Sequence, residues 1–304
     1  MKMLKKLGHV LSSFPMKTIF ITIIIVVLLA VGVKGVFMAT GNDTLVESDS
    51  GVYLENSMLE KEFGGESIIV LYESENLLTP AHLEHMKGIE DALQNNDSIY
   101  SILSPVTLTE KMVESQMDTL KKGFSMEVGL PDNQETLDNM IYGENNELRP
   151  MFKELVIDDR YMIMMIKLNG ETDDNEKTEV IDTINSYLVA EKIDTAETMV
   201  SGKPVLDNAT RTSMQESIQA MMGLALLIMI IVLSILFKVR WRILPLVIVL
   251  FAVIGTVGLM GWLQIPITMV SMAVFPILIG LGIDYAIQFQ NRYAEEMAKE
   301  NSNE

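Results

Sequence analysis

Four runs of this chain carry no charged side chain, or only one, over lengths suited to a bilayer core: residues 18–33, 217–237, 243–263 and 267–289. An α-helix rises about 1.5 Å per residue, so about 20 apolar residues cross the hydrocarbon layer. In lipid each backbone polar group has to be satisfied inside its own segment, which leaves helices as the form such runs take. The first run is the shortest, and a cleaved secretory signal is its competing reading. It is longer than a usual signal core, and Phe37-Met38-Ala39 lacks the small-x-small cleavage pattern. It therefore reads as an uncleaved first span, with Lys34 reaching back to the interface.

The basic residues lie on one side of these runs. Lys2, Lys5, Lys6 and Lys17 precede the first span, Lys238, Arg240 and Arg242 form the short link between the second and third, and Arg292 and Lys299 follow the fourth. The positive-inside rule then predicts cytoplasmic termini, with residues 39–215 on the outer side of a cell (inner, cytoplasmic) membrane. The expected organisation is residues 1–38 as N-terminus and first span, 39–215 as an extracytoplasmic domain, 216–291 as three further spans, and 292–304 as a cytoplasmic tail.

Residues from Thr40 through Glu216 hold 36 acidic against 13 basic residues, the source of most of the net charge of −18. That surface argues against nucleic acid or anionic headgroups as partners and is otherwise ordinary solvation of an exposed domain. Its periodic apolar segments predict a folded domain. Strands are expected at 67–72, 99–103, 161–168 and 198–201, with helices at 80–94, 105–122, 134–142 and 175–190. Residues 153–157 and 161–168 read as a hairpin about Asp158-Asp159. Two β-α-β units with a helical insertion predict an α+β, ferredoxin-like (split βαβ) sandwich. No cysteine is present, which excludes disulfides and thiolate metal sites. His82 and His85 stand one turn apart, but no third ligand is in view, so no metal or cofactor is expected.

The fourth run contains Gly280-Leu281-Gly282-Ile283-Asp284-Tyr285. A carboxylate at that depth costs at least ~2.5 kcal/mol on insertion scales, so Asp284 is either paired or held protonated, and both states suit a proton relay. Its competing role is a structural bridge between helices. Gly255, Gly258 and Gly261 recur every third residue in the third span, and with Gly280 and Gly282 predict close helix packing around Asp284. Pro276, two turns before Asp284, predicts a kink.

One isolated span, a large outer domain and a cluster of spans resemble a half-transporter of the resistance-nodulation-division (RND) superfamily. The motif Gly280-x-x-x-Asp284-Tyr285, with the residues that follow it, looks like the signature of the MMPL-like and hydrophobe/amphiphile efflux branches. Ser201-Gly202-Lys203-Pro204-Val205-Leu206 resembles that superfamily's exit from its porter domain. The resemblance implies that Asp284 belongs to a proton-coupling site with Tyr285 as its neighbour. It also implies that a second half supplies facing ionisable groups. Four spans where a full half has six imply that the 304 residues are a fragment or a split subunit.

The function expected is export of a hydrophobic or amphiphilic molecule, a lipid or drug-like compound, driven by proton entry. Its partners would be that molecule, protons, the bilayer, and either a second transporter half or another copy of the chain. The strand Tyr161-Met162-Ile163-Met164-Met165 offers an adaptable apolar face for substrate, with core packing as its alternative. A sterol- or lipid-sensing membrane domain and a protein-export accessory are the competing readings. No nucleophile elbow, metal triad or nucleotide loop occurs, so no enzymatic activity is expected.

Overall fold

A computed structural model describes residues 13–40, 46, 49–120, 130–131, 133–143, 145, 147–236 and 244–300. The chain divides into two compact units, Leu45–Ala209 and Met1–Thr44 with Thr210–Glu304.

The first unit is α+β. It runs α2 (Gly51–Phe63), β1 (Ser67–Glu73), α3 (Pro80–Leu93), β2 (Ile99–Leu103), α4 (Pro105–Leu120), α5 (Gln134–Ile141), β3 (Val156–Ile157), β4 (Tyr161–Leu168), α6 (Asp174–Ala190) and β5 (Glu197–Gly202). Its helices start where side chains satisfy the orphan amides of the first turn. The Thr79 hydroxyl accepts from His82 N ahead of α3, and Asn133 accepts from Thr136 N ahead of α5. Asp173 and Glu176 form a capping box on α6. The strands order as β2-β4-β1-β5, every neighbour antiparallel, with the two-residue β3 against the start of β4. Each β-α-β unit thus has a strand of the other unit next to its own first strand.

Period-two alternation decides the faces. Ile68, Val70 and Tyr72 of β1 and Met162, Met164, Ile166 and Leu168 of β4 point into one core. There they meet Leu83, Met86, Ile89 and Leu93 of α3 and Val180, Ile181 and Ile184 of α6. The helices approach closely at Gly88, where a Cβ would run into the phenol of Tyr187. The expected hairpin exists in shortened form, because pairing before the turn covers only Val156 and Ile157. Asp158 and Asp159 both take the left-handed region, with φ of 52° and 50°, at the centre of a tight turn that Arg160 N closes by donating to Ile157 O at 3.1 Å, and Ile157 pairs with Tyr161 across the three-residue connection. The loop expected near 129–132 falls largely outside the described residues.

The second unit holds α1 (Pro15–Gly32), α8 (Leu244–Trp262), α9 (Met269–Met272), α10 (Val274–Glu300) and most of α7 (Lys203–Leu236), the division falling inside α7. α1, α7, α8 and α10 are long and apolar enough to cross a membrane. α1 and α8 meet backbone to backbone. A Cβ at Gly258 would strike the Leu29 carbonyl, one at Gly261 the Gly32 carbonyl, and one at Gly32 the Gly258 carbonyl. Such contact substitutes for the hydrophobic driving force that lipid removes. Trp262 Nε1 donates to the Leu28 carbonyl across the same seam at 3.0 Å. Beyond it the segments after α1 and before α9 pair as a short parallel ladder, with Ala39 N donating to Ile267 O and Ile267 N to Phe37 O at 3.0 and 2.9 Å.

Two sequence expectations change here. α7 starts at Lys203, fourteen positions before the apolar run, because no glycine or proline interrupts residues 205–222. The fourth span is broken at Ala273, between α9 and α10, so Pro276 lies in the first turn of α10. A missing amide is harmless there, and Pro276 opens a helix instead of kinking one. The basic clusters at residues 2–6 and 238–242 lie outside the described residues.

Candidate functional site

One face of α10 is packed and the opposite one is open. Phe275, Ile279 and Ile283 are buried against Leu246, Val249 and Val253 of α8 and Leu233 of α7. Gly282 lies on this side, close enough to Val249 that a Cβ would stand 3.1 Å from its side chain. Asp284 comes one residue after Ile283, about 100° further round the helix, and is exposed with Ile277 and Leu281. Tyr285 is 65% exposed. A Cβ at Gly280 would meet nothing within 4 Å.

The glycine expectation is therefore corrected in part. Gly258 and Gly261 bring α8 against α1, and Gly255 faces Leu29 of α1, 3.4 Å from where its Cβ would stand. None of the three packs around Asp284. Of the predicted set, Gly280, Asp284 and Tyr285 share the open part of α10, Gly282 serves its packed side, and Pro276 starts the helix. Among the described residues no hydrogen bond or ion pair engages the Asp284 carboxylate. A carboxylate at membrane depth with no partner is costly unless it is protonated or covered by another polypeptide.

The family model for the MMPL family matches residues 53–304. This chain belongs to the MMPL family. The curated protein called "Putative membrane protein MJ1562", from Methanocaldococcus jannaschii, is 25% identical over 316 residues, covering 98% of this chain and 76% of that protein. Membership and the four membrane-length helices make this MMPL-family chain a multi-pass membrane protein of an RND-type transporter family.

The α+β unit of the MMPL-family chain carries two polar clusters whose roles the sequence did not disclose. His82 and His85 are buried on α3; among the described residues no cluster of three or more His, Cys, Asp or Glu could hold a metal. His85 Nδ1 lies 2.7 Å from the buried Tyr72 hydroxyl and its Nε2 lies 2.7 Å from the Glu191 carbonyl. A carbonyl only accepts, so Nε2 carries the proton and Nδ1 accepts from the tyrosine. His82 joins the Leu77 carbonyl through Nδ1 and the Thr195 hydroxyl through Nε2, at 2.7 and 2.9 Å. Two imidazoles on α3 thus hold the turn after α6. Burial pushes His85 below the ordinary imidazole range, against the bond to Glu191 and with the help of His82.

The second cluster is Glu66, which accepts from Lys177 of α6 at 3.0 Å and from Lys203 at the start of α7. Burial alone would raise its carboxyl, but the bonds from Lys203 and Lys177 outweigh that and hold it below the usual range. Both clusters join residues more than 100 positions apart, which spacing alone does not reveal. The methionine strand divides between roles: Met162 and Met164 are in the core, and Met165 points away from it.

Proposed function

We propose that this chain is the membrane-and-porter portion of a proton-coupled exporter of hydrophobic or amphiphilic molecules, with Asp284 as the proton-binding group and Tyr285 as its neighbour. The observation that carries the reading is the unengaged Asp284 on the open face of α10, opposite the face that packs on α8. Protonation would remove a charge from that face and change its affinity for a covering polypeptide, a local electrostatic event able to bias a two-state element. That covering element would be a second transporter half or another copy of this chain. The interleaved β-α-β units of the α+β domain support its assignment as a ferredoxin-like porter domain. The placement of basic residues supports a cytoplasmic-membrane protein with the acidic domain outside. Substrate would be a lipid or drug-like compound, and no nucleic acid is involved.

The test is Asp284→Asn, with Asp284→Glu beside it, in vesicles loaded with a lipophilic dye and a pH indicator. Asparagine keeps size and polarity but cannot titrate, so dye export and coupled proton flux should both fall to background, while glutamate retains part of each. Dye export continuing unchanged in a well-folded Asp284→Asn protein would falsify the proton-site assignment.

A further inference from the structure

The turn after α6, residues 191–196, is held at three points. His85 Nε2 donates to the Glu191 carbonyl, His82 Nε2 meets the Thr195 hydroxyl, and Ser74 Oγ donates to the Thr195 carbonyl at 2.8 Å. The same turn walls a groove of about 690 Å³ whose other sides include Leu188 and Val189 of α6 and Val200 of β5. Ile193 and Ala196 of the turn complete the apolar lining and are half-buried.

The two histidines answer a second proton differently. His82 Nδ1 faces the Leu77 carbonyl and already carries a hydrogen, so a further proton goes to Nε2, towards Thr195. Thr195 is exposed, and its hydroxyl can turn to accept while giving its own hydrogen to water. No bond is lost. At His85 the second proton has to go to Nδ1, 2.7 Å from the Tyr72 hydroxyl that now donates to it. That hydroxyl would then accept, and its hydrogen would be left in the core. Tyr72 is 0% exposed and has no second hydrogen-bond partner among the described residues. Burial pushes the phenol well above its usual range, so ionisation does not resolve the conflict. A buried donor left unpaired is costly, and a charged His85 therefore does not fit its present seat. The outward edge of the ring is the one bonded to the turn, so leaving the seat breaks the Glu191 bond as well.

The groups facing His85 are few. β1 presents Tyr72, and α6 presents Tyr187, with its ring centre 5.3 Å away, and Glu191. The Glu191 carboxylate favours the charged ring, whereas burial and His82 oppose it. Glu84 and Asp91 of α3 act on the Tyr187 phenol, and Lys192 and Asp194 of the turn are exposed. α4 packs elsewhere on α3, where its Glu110 binds Lys87 at 3.1 Å, about 200° round the helix from His85. We propose that Tyr72, His85 and His82 form an acid-operated latch on the turn after α6. On protonation His85 lets go of Glu191, the His82–Thr195 bond stays as the pivot, and the groove walled by the turn opens.

Release takes up one proton, so the ratio of open to closed latch rises by at most tenfold for each pH unit below about 6.5. The device stands apart from export and does not depend on Asp284.

The chain has no cysteine, so Lys192→Cys takes a single nitroxide beside the latch. In the full chain in lipid nanodiscs, the mobile component of its spectrum should grow between pH 7.5 and pH 5 with that one-proton slope. A nitroxide at Asp182→Cys, in the middle of α6, should keep its line shape, which separates release of the turn from unfolding. Adding His85→Gln supplies an amide that can donate to Glu191 but cannot titrate, and should flatten the rise. Adding His82→Gln should leave the slope unchanged. Selective ¹⁵N labelling of the three histidines should show His85 charging in step with the mobile component. No rise in the parent protein overturns the proposal, as does an equal rise with His85→Gln or a slope that vanishes with His82→Gln. If His85→Gln fails to fold, the parent's nitrogen spectrum decides: a His85 ring that stays neutral while the turn loosens, or charges while it stays held, overturns the latch. The readout is mobility of the turn, so the behaviour of Asp284→Asn in export leaves it untouched.

Discussion

At the scale of single residues, two glycines in membrane helices have opposite futures. Gly258 lies where any side chain would meet the backbone of α1, and the listener on the other side is a carbonyl that cannot swing away. Gly258→Ala should cost about 1–3 kcal/mol, the range for overpacking a tight seam, read as a lower melting temperature in detergent. Gly280 faces open space within this chain, and alanine is the better helix former by about 1 kcal/mol, so Gly280→Ala should leave that melting temperature unchanged or higher. A fall equal to that of Gly258→Ala would show that Gly280 is covered. Glu66 gives a third case. Glu66→Gln leaves Lys177 and Lys203 without their shared carboxylate and should destabilise the α+β unit by about 1 kcal/mol, since Lys203 is well solvated. The folded Glu66 holds its proton less tightly than the unfolded chain does. Its contribution is therefore complete above the ordinary carboxylate pKa and lost as pH falls through the lower folded value, and the Gln variant should lack that acid sensitivity.

At the scale of elements, strands β1 and β4 and helices α3 and α6 were legible from their periodic apolar residues because core contact enforces the pattern. α2 was not, because its Val52, Leu59 and Phe63 are exposed and leave no buried face to read. The start of α7 was hidden for another reason: hydropathy reports where lipid begins, whereas the helix begins wherever the backbone allows. Asp284 could be found by depth alone, but its side of α10 could not, since helix orientation follows from packing on α8. The glycines of α8 gave the right physics and the wrong neighbour, α1. The bonding role of the histidine pair on α3 also escaped the sequence, and it makes a prediction. His85 binds its proton less readily when folded than when unfolded. The turn after α6 is thus held fully above about pH 6.5 and loses stability as pH falls below it. Protection at residues 191–196, taken as exchange relative to the intrinsic base-catalysed rate at each pH, should fall between pH 7.5 and pH 5, and His85→Asn should remove most of that dependence.

At the scale of the whole molecule, two units with separate cores should lose structure separately. Calorimetry in detergent should resolve two transitions, of which acidification lowers only the one belonging to the α+β unit, where Glu66 and His85 both favour higher pH. A single transition moving as a whole would mean that the units stabilise each other. The seam between α1 and α8 also has an optical consequence. The chain has two tryptophans, and one of them, Trp262, donates its indole hydrogen to a carbonyl of the facing helix. Trp241→Phe would leave Trp262 as the lone indole fluorophore, its emission set by whether that bond is made. Parting of the two helices, by mutation or in a working cycle, would register as a change of colour and lifetime with no label attached.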